Sequence, residues 1–449
     1  MKCGLAKVDI TPPIGTPLGG IRVRMIDDYL TTDLRSRGVH DNLYARALVL
    51  KEEDRKLALV SLDLLGVHSD VVSRIRGLVR RQTGIGDVMV ACTHTHAGPD
   101  TILIHPENLD MDWLHVMERK AAGAVSVAYS KAKEARMGYG RGREDRITVN
   151  RRDPEGPIDP EIGVLRIEDK EGDLMAAVVN FATHMMLGRQ NVLFSADFPG
   201  FLGRFFEGVY GEGVHAIFLN GSCGNINPWD YYHGNPKPSR PKTFREAERF
   251  ANIIGGEAVK VCERIDTTPE VRLRALSETV GLPMRKPMAD LSEAKRLVAR
   301  KGEIREKHKR IPLSPDDLIK NIAILPGEGP AKEVYDLAFA EEMVRLAESR
   351  GPLEAEIQVF SLNDCAIVAI PGELFVEIGL SIKRASPFEQ TLIATYANGY
   401  VGYIPTPEAL RGGVGYEVRP SAVTAKVDLE GGEVIRDSAT RLLRRCRGQ

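Results

Sequence analysis

The residues best suited to chemistry are His94 and His96, within Thr93-His94-Thr95-His96-Ala97-Gly98-Pro99, together with His184 and Glu373 far along the chain. Imidazole and carboxylate are zinc ligands, and two imidazoles plus one carboxylate, with one position left open, form the donor set of a catalytic zinc rather than a structural one. Iron, manganese and nickel take the same donors. A zinc ion held this way lowers the pKa of water to about 7 and polarises a carbonyl. Residues two apart on a strand point to the same side, so both imidazoles of His94 and His96 reach one cavity, as two ligands or as one ligand and one acid/base. The bland alternative is a pair of hydrogen-bonded histidines in a polar turn closed by Gly98-Pro99. The matching positions of His184 and Glu373 favour the metal.

Those positions match because each follows a short apolar run. Strands are expected at 57–62, 88–92, 176–181, 215–219, 365–370 and 392–396, each rich in Val, Ile, Leu or Ala and fit for burial on both faces. They run into Asp63, into Thr93-His94, into Ala182-Thr183-His184, into Asn220-Gly221-Ser222-Cys223-Gly224-Asn225, into Pro371-Gly372-Glu373 and, one residue on, into Asn398-Gly399-Tyr400. Ligands bind at the carboxyl edge of α/β sheets, so the repetition argues for one shared pocket. Residues 356–362, Asn363-Asp364 and 365–370 read as a hairpin. From 290 to 350 the pattern turns helical, with Asp290 and Glu293 as a capping box and Leu291, Ala294, Leu297 and Val298 as an apolar stripe. We read 290–350 as a helical insertion within a single catalytic domain spanning 1–449. The basic run at 305–310 reads as a solvated helix face, with a patch for an anionic partner as the alternative.

The wider composition is that of an ordinary globular chain: 449 residues, 27% charged, formal net charge -1. No global field draws nucleic acid or an acidic membrane. The six cysteines, Cys3, Cys92, Cys223, Cys262, Cys365 and Cys446, are scattered with no C-x-x-C pair, which argues against a disulfide framework. No apolar run reaches about 18 residues, so no membrane span is expected. The opening MKCGLAKVDITPPIG lacks an apolar signal region, and a cytoplasmic location is expected. The expected partner is a small-molecule substrate.

Taken together, the segments resemble the neutral/alkaline ceramidase family. The matching pieces are Val8-Asp9-Ile10-Thr11-Pro12-Pro13, Thr93-His94-Thr95-His96-Ala97-Gly98-Pro99, Asn150-Arg151, Asn180-Phe181-Ala182-Thr183-His184, Ser195-Ala196-Asp197-Phe198-Pro199-Gly200, Gly224-Asn225-Ile226-Asn227-Pro228, Pro371-Gly372-Glu373 and Asn398-Gly399-Tyr400-Val401-Gly402-Tyr403. They run in order through nearly the whole chain. The resemblance implies an α/β fold with central mixed β-sheets flanked by helices, zinc as cofactor, and hydrolysis of an amide. It implies metal ligands at His94, His184 and Glu373, with Tyr400, or alternatively Tyr403, as the fourth. It also implies an acid/base at His96 and a site arginine at Arg151. In the mechanism these suggest, Arg151 and, when Tyr400 binds metal, Tyr403 hold the developing oxyanion; the alternatives are a surface ion-pair residue for Arg151 and a packed tyrosine for Tyr403.

Two departures qualify the substrate. Asn227 stands where the family carries a serine, and asparagine is neither a nucleophile nor the same proton carrier. It reads as a hydrogen-bond donor to substrate or as a turn residue before Pro228. No lipid-facing patch is readable, so a related amide or ester is expected rather than ceramide. The competing readings are a phosphoesterase, lactonase or carbohydrate-processing enzyme on the same scaffold, and a metal-containing binding protein without turnover. A second metal near Asp63, Asp100 or Asp197 would favour the phosphoesterase. Asp63 and Asp197 are candidates to orient ligand histidines, and Asp197 also reads as a helix cap. His40 with Asp41, and His233 near Trp229, are candidates for the pocket rim, and Trp229, Tyr231 and Tyr232 for a closing loop. Cys223 reads as a small buried thiol.

Overall fold

A computed structural model describes residues 1–19, 35–102, 110–188, 192–228, 243–286, 290–308 and 332–449, without the side chains of 305, 308, 332, 334 and 335. Trp229, Tyr231, Tyr232 and His233 lie outside the described residues, as does part of the basic run at 305–310.

The unbroken apolar character of the expected strands has a simple cause: both of their faces are covered. Along Arg55–Leu62, Leu57 and Leu59 face one core while Ala58, Val60 and Leu62 face another. Along Cys365–Ile370, Cys365, Ile367 and Ala369 face the first of these cores while Ala366, Val368 and Ile370 face away from it. The first core lies between two sheets. The larger has eight strands in the order His215–Asn220, Leu174–Phe181, Glu161–Asp169, Lys133–Arg143, Lys2–Asp9, Tyr44–Glu52, Arg55–Leu62, Asp87–Cys92. The smaller has four, in the order Leu273–Leu282, Leu353–Leu362, Cys365–Ile370, Gln390–Thr395.

Helices close the outer faces. Ser69–Thr83 and Met111–Ser130 cover one half of the large sheet, and Phe198–Tyr210 with Phe244–Cys262 cover the other. Val376–Ala385 and Gly431–Arg447 cover the small sheet. The result is an α/β fold of mixed sheets flanked by helices, as expected. Each fully buried Leu or Ile in these layers contributes about 1.5–3 kcal/mol of transfer free energy.

The arrangement of parallel pairs decides where polar groups meet. The large sheet is antiparallel in its interior and parallel at both edges, between Arg55–Leu62 and Asp87–Cys92 and between Leu174–Phe181 and His215–Asn220. The small sheet has one parallel pair, Cys365–Ile370 with Gln390–Thr395. The large sheet curls until its edges touch: Ser61 Oγ donates to the Phe218 carbonyl at 2.8 Å, and Asn220 Nδ2 to the Thr93 carbonyl at 3.3 Å. Asn180 Nδ2 ties this seam to the small sheet, donating to the carbonyls of Leu219 and Ile393, both at 2.8 Å. The carboxyl ends of three parallel pairs therefore open at one place.

The expected hairpin forms, with Leu362 opposite Cys365 and Asn363 left-handed at φ 55° in the turn. Between the paired strands Leu273–Leu282 and Leu353–Leu362 run the helices Ser292–Ala299, Lys301–His308 and Lys332–Glu348. The capping box does not form. The helix begins at Ser292 behind an uncapped Leu291, and Asp290 Oδ1 instead accepts from the Ser292 N–H at 2.8 Å. Of the stripe, Ala294 is buried and Leu291, Leu297 and Val298 are half-buried. Among the described residues no helix is long and apolar enough to cross a membrane.

Candidate metal centre

The ends of these strands hold unusual backbone. His94, Asp197, Tyr396 and Asn398 have φ of 70°, 55°, 54° and 62°, in the left-handed region that non-glycine residues avoid. Each is held by surrounding bonds. The His94 N–H donates to the Leu64 carbonyl at 2.9 Å, and the Asn398 N–H to the Val90 carbonyl at 2.7 Å while its Oδ1 accepts from the Val90 N–H at 3.1 Å. Tyr396 stacks on His94, ring centroids 3.8 Å apart and planes within 11°. Glu373 is placed by a two-residue strand, Glu373–Leu374, parallel to Tyr403–Ile404. A Cβ on Gly372 would sit 2.6 Å from the Gly402 carbonyl oxygen, and one on Gly224 2.4 Å from that of Glu373. Only glycine allows these backbones to approach so closely.

The side chains so placed converge, all of them buried. Glu373 Oε2 lies 3.3 Å from His184 Nε2 and 3.7 Å from His94 Nε2. His96 Nε2 lies 3.1 Å from His94 Nε2. The Tyr400 hydroxyl donates to Glu373 Oε1 at 2.6 Å. His94 Nδ1 meets the Leu65 carbonyl at 2.7 Å and His184 Nδ1 the Ile226 carbonyl at 3.0 Å. A carbonyl only accepts, so both rings carry hydrogen on Nδ1 and turn an Nε2 lone pair inward. Burial drives His94 down to about 3, and burial followed by the Arg151 charge drives His184 well below its ordinary value. Both rings are thus neutral, as metal ligation requires. Ligand atoms around a tetrahedral zinc at 2.0–2.1 Å stand roughly 3.3 Å apart, close to these separations. The donor set therefore fits a divalent metal. His94, His96 and His184 are the one metal-capable cluster of three among the described residues.

A second wall carries positive charge. Arg151 follows the short strand Thr148–Asn150, and its N–H donates to the Asn225 carbonyl at 2.8 Å. Its guanidinium donates from Nε to Glu417 Oε1 at 2.7 Å, and from Nη2 to the Gly224 carbonyl at 2.6 Å and the Tyr403 hydroxyl at 3.1 Å. From Nη1 it donates to Asn227 Oδ1 at 3.3 Å and faces His184 Nε2 at 3.4 Å. Burial works against its charge, but Tyr416, Tyr403, Glu417 and Glu373 outweigh it and raise its pKa well above the usual value. Glu417 also accepts from Arg152 Nη1 at 3.1 Å. Tyr403 is pushed well above its ordinary value, first by burial and then by Glu373, so its hydroxyl keeps its proton.

Asn227 is not in a turn. It lies in the strand Ile226–Pro228, opposite Val149, with Nδ2 buried and without an acceptor among the described residues. Leaving a buried donor unmade costs about 1–3 kcal/mol.

Several expected second contacts lie elsewhere. Asp63 does not touch the histidines: its Oδ2 accepts from Arg46 Nη1 at 2.5 Å and the Tyr44 N–H at 2.9 Å. Asp197 caps the helix Phe198–Tyr210, accepting from the Phe198 N–H at 2.7 Å, and takes the Gly188 N–H at 2.8 Å. Backbone carbonyls orient the rings of His94 and His184 instead. His40 bonds Asp41 at 2.7 Å and stacks on Phe244. The Cys223 thiol, pushed up to about 12 by burial, rests 3.2 Å from the Tyr396 hydroxyl and is no nucleophile. Sequence reasoning missed Glu417, Tyr416 and the part played by Tyr396. Tyr396 carried a signal, since it ends an apolar run as the metal-capable residues do, whereas Glu417 sits in a loop with none.

No family model matches the chain. In sequence it is similar to the neutral ceramidase of Pseudomonas aeruginosa, 25% identical over 90% of this chain and 67% of that protein. It is similar to the neutral ceramidase of Mycobacterium tuberculosis at 23% over 85% of this chain and 68% of that one. In fold it is similar to a solved structure described as "Ceramidase complexed with C2", with TM-score 0.73, 19% identity, and coverage of 100% of this chain and 75% of that one. It is also similar to the crystal structure of the Pseudomonas aeruginosa neutral ceramidase, with TM-score 0.70 and 21% identity, covering 99% and 74%.

Proposed function

We propose, from the premise that this chain is a member of the neutral ceramidase family, that it is a zinc-dependent hydrolase cleaving an amide, or a related ester, of a small or acylated substrate. The observation that carries the reading is the convergence of His94, His184 and Glu373, with both Nδ1 atoms already committed to carbonyls. Those three residues would hold the ion, with Tyr400 beside Glu373 as the fourth group. The ion would supply Lewis acidity at the substrate carbonyl and make water a nucleophile near neutral pH.

The chain's own groups carry the rest. Arg151 and the Tyr403 hydroxyl receive the carbonyl oxygen as negative charge grows on it. His96 Nε2 takes the proton of the attacking water and returns it to the leaving nitrogen. The carbon–nitrogen bond breaks as the carbon–oxygen bond to water forms, giving a carboxylic acid and an amine, which leave as carboxylate and ammonium once the acid proton passes to the amine. Asp63 and Asp197 are each bonded to other groups and stand outside the described metal-capable cluster.

A variant of this reading makes His96 a ligand, favoured by its 3.1 Å separation from His94. The test is metal analysis with an acyl-amide assay that runs from ceramide to short N-acyl compounds. His94→Ala is expected to lose both zinc and activity, and His96→Ala to keep zinc but lose activity. Zinc loss in both moves His96 into the ligand set. A fully zinc-loaded wild type inert toward amides and esters refutes the hydrolase.

A further inference from the structure

We infer that the side-chain amide of Asn227 is a third catalytic donor, which joins Arg151 and the Tyr403 hydroxyl in a cradle for the substrate carbonyl oxygen. The inference rests on the hydrolase reading and adds to it a residue and a requirement on the substrate.

The antiparallel pairing of Ile226–Pro228 with Thr148–Asn150 aligns Ile226 with Asn150 and Asn227 with Val149, which brings Asn227 beside the side chain of Arg151. Its amide can face that neighbour in one way only. A guanidinium offers nothing but N–H groups, so Oδ1 must turn toward Arg151 Nη1, and Nδ2 must turn away. Nδ2 is buried, and no described residue accepts from it. Native interiors leave few such groups, and each calls for an explanation.

Arg151 Nη1 has the complementary shortfall. Of its two hydrogens one goes to Asn227 and the other faces His184 Nε2. Once that lone pair is given to a metal, the second hydrogen needs another acceptor. Arg151 Nη1 is thus left with a hydrogen to place beside His184, and its bonded neighbour Asn227 with a buried amide to satisfy.

A cradle of donors alone selects its guest. It takes an oxygen that brings lone pairs and no hydrogen: an amide or ester carbonyl, the oxyanion it becomes, and the carboxylate product. It gives nothing to a hydroxyl that must donate. The amide of Asn227 neither gains nor loses a proton over the reaction, so it acts only on the charge that builds on oxygen. No acyl group can be parked on it, and the acyl carbon goes directly to water.

Acetate, the smallest carboxylate product, provides the probe. It is titrated into the zinc-loaded chain carrying 15N-labelled asparagine, with the Asn227 side-chain resonance assigned from its loss in Asn227→Asp. That resonance is expected to shift on binding. Asn227→Asp keeps the acceptor for Arg151 and removes both hydrogens, and Asn227→Leu removes both without adding charge. Each is expected to bind acetate at least about tenfold more weakly. For any amide the wild type cleaves, kcat is expected to fall roughly 100-fold with KM little changed. Zinc content and thermal unfolding report whether the variants remain folded. A wild-type resonance that acetate leaves in place overturns the inference, and so does a folded Asn227→Leu that binds acetate as the wild type does. A wild type that shifts with acetate yet cleaves nothing keeps the cradle and refutes the hydrolase.

Discussion

The two walls of the site are built on opposite principles. His94, His184 and Glu373 stand at the ends of buried strands, are fixed by backbone carbonyls or a short strand, and turn lone pairs inward. Arg151, Tyr403 and Asn227 come from short or irregular segments, are fixed by one another and by Glu417, and bring N–H and O–H groups to the site. The two histidines of the first wall are held uncharged by burial. The second holds a buried cation whose position depends on a buried anion. In the proposed reading the first would receive a metal and the second an oxygen, and they touch between Arg151 and His184.

Separating the walls by mutation sharpens this contrast. The largest effect is expected for Arg151→Lys, which keeps the charge but cannot bridge Glu417, Gly224, Tyr403 and Asn227 at once. Hydrolysis is expected to fall by about two orders of magnitude, with zinc stoichiometry unchanged. Loss of zinc would show that the walls are not separable. Arg151→Ala leaves buried Glu417 with Arg152 as its remaining cationic partner, and a loss of stability below the about 3–5 kcal/mol of a wholly unpaired buried charge is expected, read from denaturant unfolding.

An intermediate effect is expected from acid on the first wall. In the metal-free chain His94 and His184 are neutral because burial lowers them, His94 to about 3. The unfolded chain takes up protons at its ordinary imidazole value near 6.5 while the folded one does not. Their contribution is therefore complete above about pH 6.5 and is lost as pH falls from there toward about 3. Unfolding midpoints measured across that window are expected to fall less steeply for His94→Asn than for the wild type. Equal slopes would mean that His94 is not held neutral.

The smallest effect is expected from Tyr396→Phe, which keeps the stack on His94 and removes a hydroxyl 3.4 Å from Glu373 Oε2. Activity within a few-fold of wild type, by steady-state kinetics, is the expected outcome, since the ring rather than the oxygen supports the histidine. A loss as deep as that of Arg151→Lys would place Tyr396 among the reacting groups.

What the sequence made legible follows from the same division. Strands buried on both faces leave nearly continuous apolar runs, so their ends, and the polar residues just beyond them, could be read one after another. Lys133–Arg143 and Leu273–Leu282 were not read as strands, because only three and two of their residues are fully buried and the runs are broken. Tyr400 and Tyr403 lie three residues apart, and only coordinates could assign one to Glu373 and the other to Arg151. Glu417 follows no apolar run, and its partnership with Arg151 spans 266 residues. The orienting groups behind the histidines are main-chain carbonyls, which no side-chain identity encodes, and so Asp63 and Asp197 were natural but mistaken candidates for that task.

The seam at which the large sheet meets itself has a consequence for how the protein assembles. Its two borders come from residues near 60–90 and 175–220, and the strand that braces them arrives only near 390, so the histidines and Glu373 can be neighbours only after almost all of the polypeptide has found its place. Contacts this distant in sequence form slowly. An ion that fastens the three together would bind the finished molecule and not its precursors. Metal uptake would then work as a late latch, drawing the folding equilibrium forward by RT ln(1 + [metal]/Kd).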